Sequence, residues 1–270
     1  MTTFHDAETG IDSGHPVRLY QFMLQTARWF YTSADRAVDH LAATYSPVAI
    51  SDDGIRQSGQ ASADTLKITV PSDLDIVSLY RGVPPSTPMA VTVYQRHYGI
   101  DAHVVVWSGE VAGVKWKDSA HAELSCIPLT SKMGKMGLRL AYERTCPHTL
   151  YSVRCGVSRE QYRVDATIQD MDGASIGNDI FAAVADGHYT AGLLEWLTRG
   201  GWTERRCIER HVGRGLRLLG GTSGLAPGMA VRVYPGCLQT VESCKKFGNL
   251  LNYGGIPHLA GESPFGRNIF

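Results

Sequence analysis

The sequence lacks any apolar run approaching the roughly eighteen residues that a membrane-crossing helix requires, so no membrane segment is expected. It lacks an excess of either charge, with 26 Lys and Arg against 26 Asp and Glu. That balance excludes a chain built to coat nucleic acid or an anionic membrane. The start, Met1 to Gly14, has neither the basic residues nor the apolar core of a secretory signal and carries Asp6, Glu8 and Asp12. Synthesis in the cytoplasm is therefore expected. Heptads, low-complexity tracts and clear repeats are missing too. So are a serine elbow, a His-Glu-x-x-His pair and a phosphate-binding glycine loop, which removes the commonest catalytic signatures.

What the chain does contain is β pattern. Its 270 residues, 43% of them apolar, suffice for one large β domain or two smaller ones. Residues 1–14 read as a flexible tail. Leu19 to Tyr31 is rich in aromatics and fits a strand pair or a short helix, and Ala34 to Ala43 reads as a short helix capped by Ser33. Then Leu66, Ile68 and Val70 alternate with polar neighbours, as do Val91 and Val93, and His103 to Trp107 is a β-branched run. Pro71, Gly82, Gly99 and Gly109 punctuate these runs. Period-two alternation with frequent turns predicts antiparallel β structure, a barrel or sandwich, over residues 15–125. A second β stretch, 159–235, carries Tyr162 and Val164, a short helical turn at Ile180 to Val184, a hairpin from Leu193 through Val212, and a last strand at Met229 to Val233.

The closing segment, 236–270, is different. It is rich in glycine, asparagine and aromatics and too poor in apolar runs to fold alone. Something must staple it, and Cys237 and Cys244 stand at its start. Cys146 and Cys155 form a similar pair in the segment 126–158. In a reducing compartment such cysteines are buried hydrophobes, catalysts or metal ligands rather than disulfides. Four thiolates in two pairs suit a tetrahedral zinc or a cubane cluster. Structural zinc usually takes pairs about two to four residues apart. Steps of nine and seven lean towards a cluster, while zinc and metal-free thiols stay open. Cys126 and Cys207, each within a β run, read as core residues. Cys146-Pro147-His148 would suit a thiol hydrolase, and Asp101 and His103 share a strand face. Neither comes with an assembled set of catalytic roles, so an enzyme is not expected.

Tyr234-Pro235-Gly236-Cys237, Cys244-Lys245-Lys246-Phe247-Gly248-Asn249 and Asn252-Tyr253-Gly254-Gly255-Ile256-Pro257-His258 resemble the C-terminal module of BR0599-type phage proteins. The stretch Cys146-Pro147-His148-Thr149-Leu150-Tyr151 up to Cys155 resembles their paired-cysteine segment. Leu19-Tyr20-Gln21-Phe22 with Trp29-Phe30-Tyr31-Thr32-Ser33-Ala34-Asp35 resembles their DUF2163-type N-terminal region. The resemblance implies a mainly β protein with two tail-tube-like β-barrel hub domains and a small loop-rich region clamped by a [4Fe–4S] cluster, zinc being the alternative. It implies Cys146, Cys155, Cys237 and Cys244 as the ligands. It also implies a structural protein of the virion tail tip or baseplate hub, similar in role to the lambdoid tail-tip protein L. Its implied partners are two further copies in a homotrimer, the tail tube or distal tail protein on one side, and a central tip or fibre protein on the other.

Overall fold

Side-chain alternation sets the first sheet. On β6 (Leu66–Pro71) Leu66, Ile68 and Val70 are buried between more exposed neighbours. On β9 (His121–Pro128) Ala122, Leu124, Cys126 and Pro128 are buried in the same rhythm, as period-two side-chain direction requires. The computed structural model describes residues 4–10, 14–56, 58, 64–133, 137 and 141–259. These divide into two units, Met1–Lys135 with Arg199–Trp202, and Met136–Thr198 with Thr203–Phe270. The chain is mainly β, with a sheet curled as a half-barrel.

The first unit also contains β1 (Pro16–Leu24), β2 (Ala27–Thr32), β3 (Val38–His40), β4 (Ala43–Pro47), β5 (Ser51–Asp52), β7 (Ala90–His97) and β8 (His103–Trp116). Their order is β3-β4-β2-β1-β7-β8-β9-β6-β5. Pairing is antiparallel except between β2 and β4. β1 is buried on both faces. Tyr20, Phe22 and Leu24 enter the main core, while Leu19 joins Val38 and Tyr45 on the other side. A strand covered on both sides loses clean alternation, which is why Leu19 to Tyr31 does not declare itself in the sequence. Register shifts at Val93/Tyr94 and Val111/Gly113 interrupt the ladders of the long β8, as β-bulges that bend a strand.

Three expectations need correcting here. The stretch Ala34 to Ala43 is not a helix: Val38 and His40 are buried with Asp39 exposed between them, and Leu41 and Ala42, at φ 47° and 58°, make the hairpin turn into β4. Ser33 caps no helix, since its hydroxyl accepts the Arg18 N–H at 3.2 Å and extends the β1–β2 pairing. The supposed tail holds α1 (Phe4–Thr9), docked through Ala7, 1% exposed, and through Glu8 Oε2, 2.7 Å from His97 Nε2. β9 also runs through Pro128, so the boundary expected at residue 125 falls inside a strand.

His40 should make this unit acid-sensitive. Its ring is 4.3 Å, centroid to centroid, from that of His103 and also meets Tyr45 and Tyr94, and its Nε2 has no hydrogen-bond partner. Burial first, then the His103 and Arg96 charges, hold its pKa below the ordinary 6.5. The unfolded chain therefore takes up a proton at a pH where the folded unit still refuses it. The stability contributed by neutral His40 is complete above about pH 6.5 and is lost as the pH falls through the lower folded value. The melting temperature of His40→Phe should fall less than that of the wild type between neutral pH and about pH 5. Parallel pH profiles would remove His40 as the cause.

The second unit contains β10 (Val164–Thr167), β11 (Asp170–Asp172), β12 (Ser175–Gly177), β13 (Leu193–Leu197), β14 (Thr203–Val212), β15 (Gly215–Leu218) and β16 (Ala230–Tyr234). Their order is β10-β16-β13-β14-β15-β12-β11. Leu194, Trp196, Ile208, Leu216, Val231 and Val233 face its core. The hairpin read at Leu193 to Val212 is β13 paired with β14, and the helical turn is a single 3-10 turn, Asp179–Ala183.

Candidate metal centre

β16 delivers the chain through Pro235-Gly236 to Cys237. Gln239, at φ 60°, turns it towards α2 (Val241–Lys246). The Thr240 hydroxyl accepts the Ser243 N–H at 3.2 Å and caps the helix, leaving Cys244 on its buried side. The other pair sits in a chain of turns. The Ser152 N–H donates to the Thr149 carbonyl at 3.1 Å and the Gly156 N–H to the Ser152 carbonyl at 2.9 Å, and the Ser152 hydroxyl accepts the Cys155 N–H at 3.3 Å.

The fold brings these two segments together. The Cys146 N–H donates to the Gln239 carbonyl at 2.9 Å and the Ile256 N–H to the Glu143 carbonyl at 2.8 Å. The Tyr253 hydroxyl donates to the Arg144 carbonyl at 2.7 Å. Gly254 and Gly255 are needed for this approach: β-carbons there would lie 2.5 Å from His148 Nε2 and 2.6 Å from the Arg144 carbonyl oxygen. Tyr151 closes the inner side. Its hydroxyl donates to the Pro235 carbonyl at 2.9 Å, and its ring stands edge-on to Tyr234 and Phe247.

Cys146, Cys155, Cys237 and Cys244 all line one narrow pocket of about 20 Å³, about the room for a single water centre. Three of the sulfurs accept N–H groups. Gln239 N–H reaches Cys237 Sγ at 3.4 Å, Gly254 N–H reaches Cys146 Sγ at 3.4 Å, and Asn249 Nδ2 reaches Cys155 Sγ at 3.7 Å. The Cys244 thiol donates instead to the Asn249 carbonyl at 3.2 Å. Burial pushes the Cys237 thiol pKa up, the Gln239 amide opposes this, and Cys155 and Cys146 add to it. Burial likewise raises Cys244, with Cys237, Cys146 and Cys155 contributing. For Cys237 and Cys244 burial is the main cause of the rise, and a bound cation would relieve it. Among the described residues, no group of three or more His, Cys, Asp or Glu is placed to hold a metal ion. The four sulfurs thus share a pocket without meeting at one point.

The remaining candidates lie elsewhere. Cys126 is in the core of the first unit, its thiol pushed up to about 12 by burial and then by Asp53. Cys207 is exposed, contrary to the core reading, because its neighbours Arg206 and Ile208 take the inward positions on β14. Lys245 and Lys246 are exposed. Asp101 is fully exposed with Arg96 Nη2 3.8 Å away, and His103 packs on His40, so the two make no catalytic pair. Asn249, Tyr253 and Tyr151 stand in the sequence only as members of the cysteine motifs, and that membership is the one signal that could have marked them.

The N-terminal attachment domain of baseplate hub proteins matches residues 16–158, which include Cys146 and Cys155. The family described as phage conserved hypothetical protein BR0599 matches residues 187–263, which include Cys237 and Cys244. An uncharacterized protein of Xylella fastidiosa (strain 9a5c) is 25% identical over 185 residues, 63% of this chain, and the chain spans 38% of that relative's length. In a solved structure of the virion of a native gene transfer agent particle, one chain is 20% identical with a TM-score of 0.83, over 99% of this chain and 96% of that one. At that identity the likeness establishes the fold. The match to the hub attachment domain covers more than half of the chain, and the protein belongs to the baseplate hub family, a structural part of the phage tail.

Proposed function

We propose that this protein is a tail-tip hub subunit whose C-terminal region is stapled by a [4Fe–4S] cluster on Cys146, Cys155, Cys237 and Cys244. The observation that carries the staple is that four cysteines from two sequence-distant segments line one pocket. Soft thiolate donors suit iron–sulfur or zinc. Zinc would draw its sulfurs to about 2.3 Å from a common centre and usually takes closely spaced pairs, whereas the steps of nine and seven residues within these pairs lean towards the larger group. When bound, the cluster supplies iron–thiolate bonds that close the long loop between the two pairs and offset the entropy of ordering the glycine- and asparagine-rich end. The chain's own part is the Gln239, Gly254 and Asn249 donors, which would stabilise thiolate charge.

In the tail, three copies with two β units each would present six similar units, matching a six-fold tube or distal ring on one side and a three-fold tip or fibre protein on the other. The two β units, read as tail-tube-like barrels, and the near full-length likeness to a gene transfer agent virion chain support this placement.

Protein purified without oxygen should be brown and contain about four irons and four sulfides per chain. Cys237→Ala should be colourless and Cys126→Ala unchanged. Tails assembled with Cys237→Ala should lack the central tip protein. One zinc per chain in colourless wild-type protein would replace the cluster reading, and fully folded metal-free protein would end both.

A further inference from the structure

Asn249 touches both cysteine pairs. Its backbone N–H donates to the Cys244 carbonyl at 3.2 Å, and its own carbonyl accepts the Cys244 thiol at 3.2 Å. Its side-chain Nδ2 donates to the Cys155 carbonyl at 2.6 Å and lies 3.7 Å from Cys155 Sγ. The amide is oriented by a third contact, in which Asn252 Nδ2 donates to Asn249 Oδ1 at 2.8 Å. Turning the amide over would set oxygen against the Cys155 carbonyl, so the network allows one orientation.

The three N–H donors differ in kind. Those to Cys237 and Cys146 come from the backbone amides of Gln239 and Gly254. The donor to Cys155 is a side chain, so among the described residues it is the one of the three whose donor group a substitution can remove without moving the backbone. A single asparagine, 94 positions from Cys155 in sequence, thus fixes where Cys155 stands relative to Cys244. We infer that Asn249 is a positioning residue that locks the two cysteine pairs into one ligand set and polarises the Cys155 sulfur, an inference that rests on reading the four cysteines as the ligands of one group.

The physical consequences are separable. A hydrogen bond to a ligating thiolate stabilises its charge and raises the potential of the group it holds. Loss of such an outer partner typically weakens metal retention by about 10–100-fold. The bond to the Cys155 carbonyl, in contrast, orders the 152–156 turn whether or not metal is present.

Asn249→Asp tests this in the full-length protein with little change of shape. It replaces the donor by an oxygen that faces the Cys155 carbonyl and sulfur. With iron and sulfide loaded anaerobically, the variant should lose its visible absorbance to a chelator at least about tenfold faster than wild type, and its reduction potential should move negative. Asn249→Gln, which keeps the donor on a longer arm, should recover part of both effects. Lys245→Ala should change neither. In the metal-free proteins, amide exchange at residues 152–156 should be faster in Asn249→Asp than in wild type.

The arms separate the two readings. Wild-type protein that binds no iron removes the cluster, and the exchange measurement then still decides the clamp. Wild-type protein that binds iron, with Asn249→Asp unchanged in retention, potential and exchange, overturns the role of Asn249. If Asn249→Asp does not fold, Asn249→Leu, of similar shape but without the donor, carries the test: unchanged retention and potential in that variant overturn the inference.

Discussion

Gly236→Ala should destabilise the second unit severely and, where the four cysteines hold the proposed cluster, release it in the same step. A β-carbon at Gly236 would lie 1.8 Å from the Thr190 carbonyl oxygen, 2.5 Å from the Ala191 carbonyl carbon and 2.5 Å from the Gly192 nitrogen. All three are backbone atoms, so no side chain can swing aside. The Thr190–Gly192 turn is itself tied down. The Gly192 N–H donates to the Tyr189 carbonyl at 2.9 Å, the Ala191 N–H to the Ile208 carbonyl at 2.9 Å, and the Gly236 N–H to the His188 carbonyl at 3.3 Å. Overpacking usually costs about 1–3 kcal/mol. A clash confined to backbone should reach the top of that range or pass it, with melting lowered on the order of 10 °C. Because Cys237 is the next residue, any shift that relieves the clash moves a sulfur. Stability and iron content should therefore fall together. Wild-type melting in Gly236→Ala would show that the turn has room, and a large stability loss with full iron content would show that Cys237 is placed independently of it.

Such close approaches mark the limit of what the sequence discloses. The edge-like runs of the first unit were legible because each has one buried face, as in Leu66, Ile68 and Val70. β1 was ambiguous because Leu19 and Tyr20 are buried on opposite faces, which removes the alternation that separates strand from helix. The β3–β4 hairpin was misread because its turn uses Leu41 and Ala42 at positive φ instead of the Asn-Gly or Gly-Gly pair that usually announces such a turn. The four cysteines could be named from spacing and resemblance. Their common pocket could not, since it depends on contacts such as Cys146 to Gln239, 93 positions away. The docking of α1 was invisible for a similar reason: Glu8 is an ordinary surface residue until His97, 89 positions on, stands opposite it.

Glu195 was also hidden: it is the one charged residue of the apolar strand Leu193–Leu197, yet it is 2% exposed. Its Oε1 accepts Arg159 Nη1 and Arg205 Nε, each at 2.7 Å, and its Oε2 accepts the Tyr234 hydroxyl at 3.2 Å. Arg159 also lies over the Tyr234 ring, 4.9 Å from its centroid. The two sides of this network are not equivalent. The arginine side chains are 34% and 51% exposed, so water can take them if the carboxylate is removed. Glu195 has no such recourse. Glu195→Gln should cost about 1–2 kcal/mol, whereas Arg159→Met with Arg205→Met leaves a buried charge uncompensated and should cost about 3–5 kcal/mol. The ordering can be checked by denaturant unfolding of the full chain, and its cause by adding Glu195→Gln to the double variant. If the stranded carboxylate is responsible, that third substitution restores most of the lost stability. If the arginines act through packing on Tyr234 and its neighbours, the triple variant is no more stable than the double, and the network is a matter of shape and not of charge.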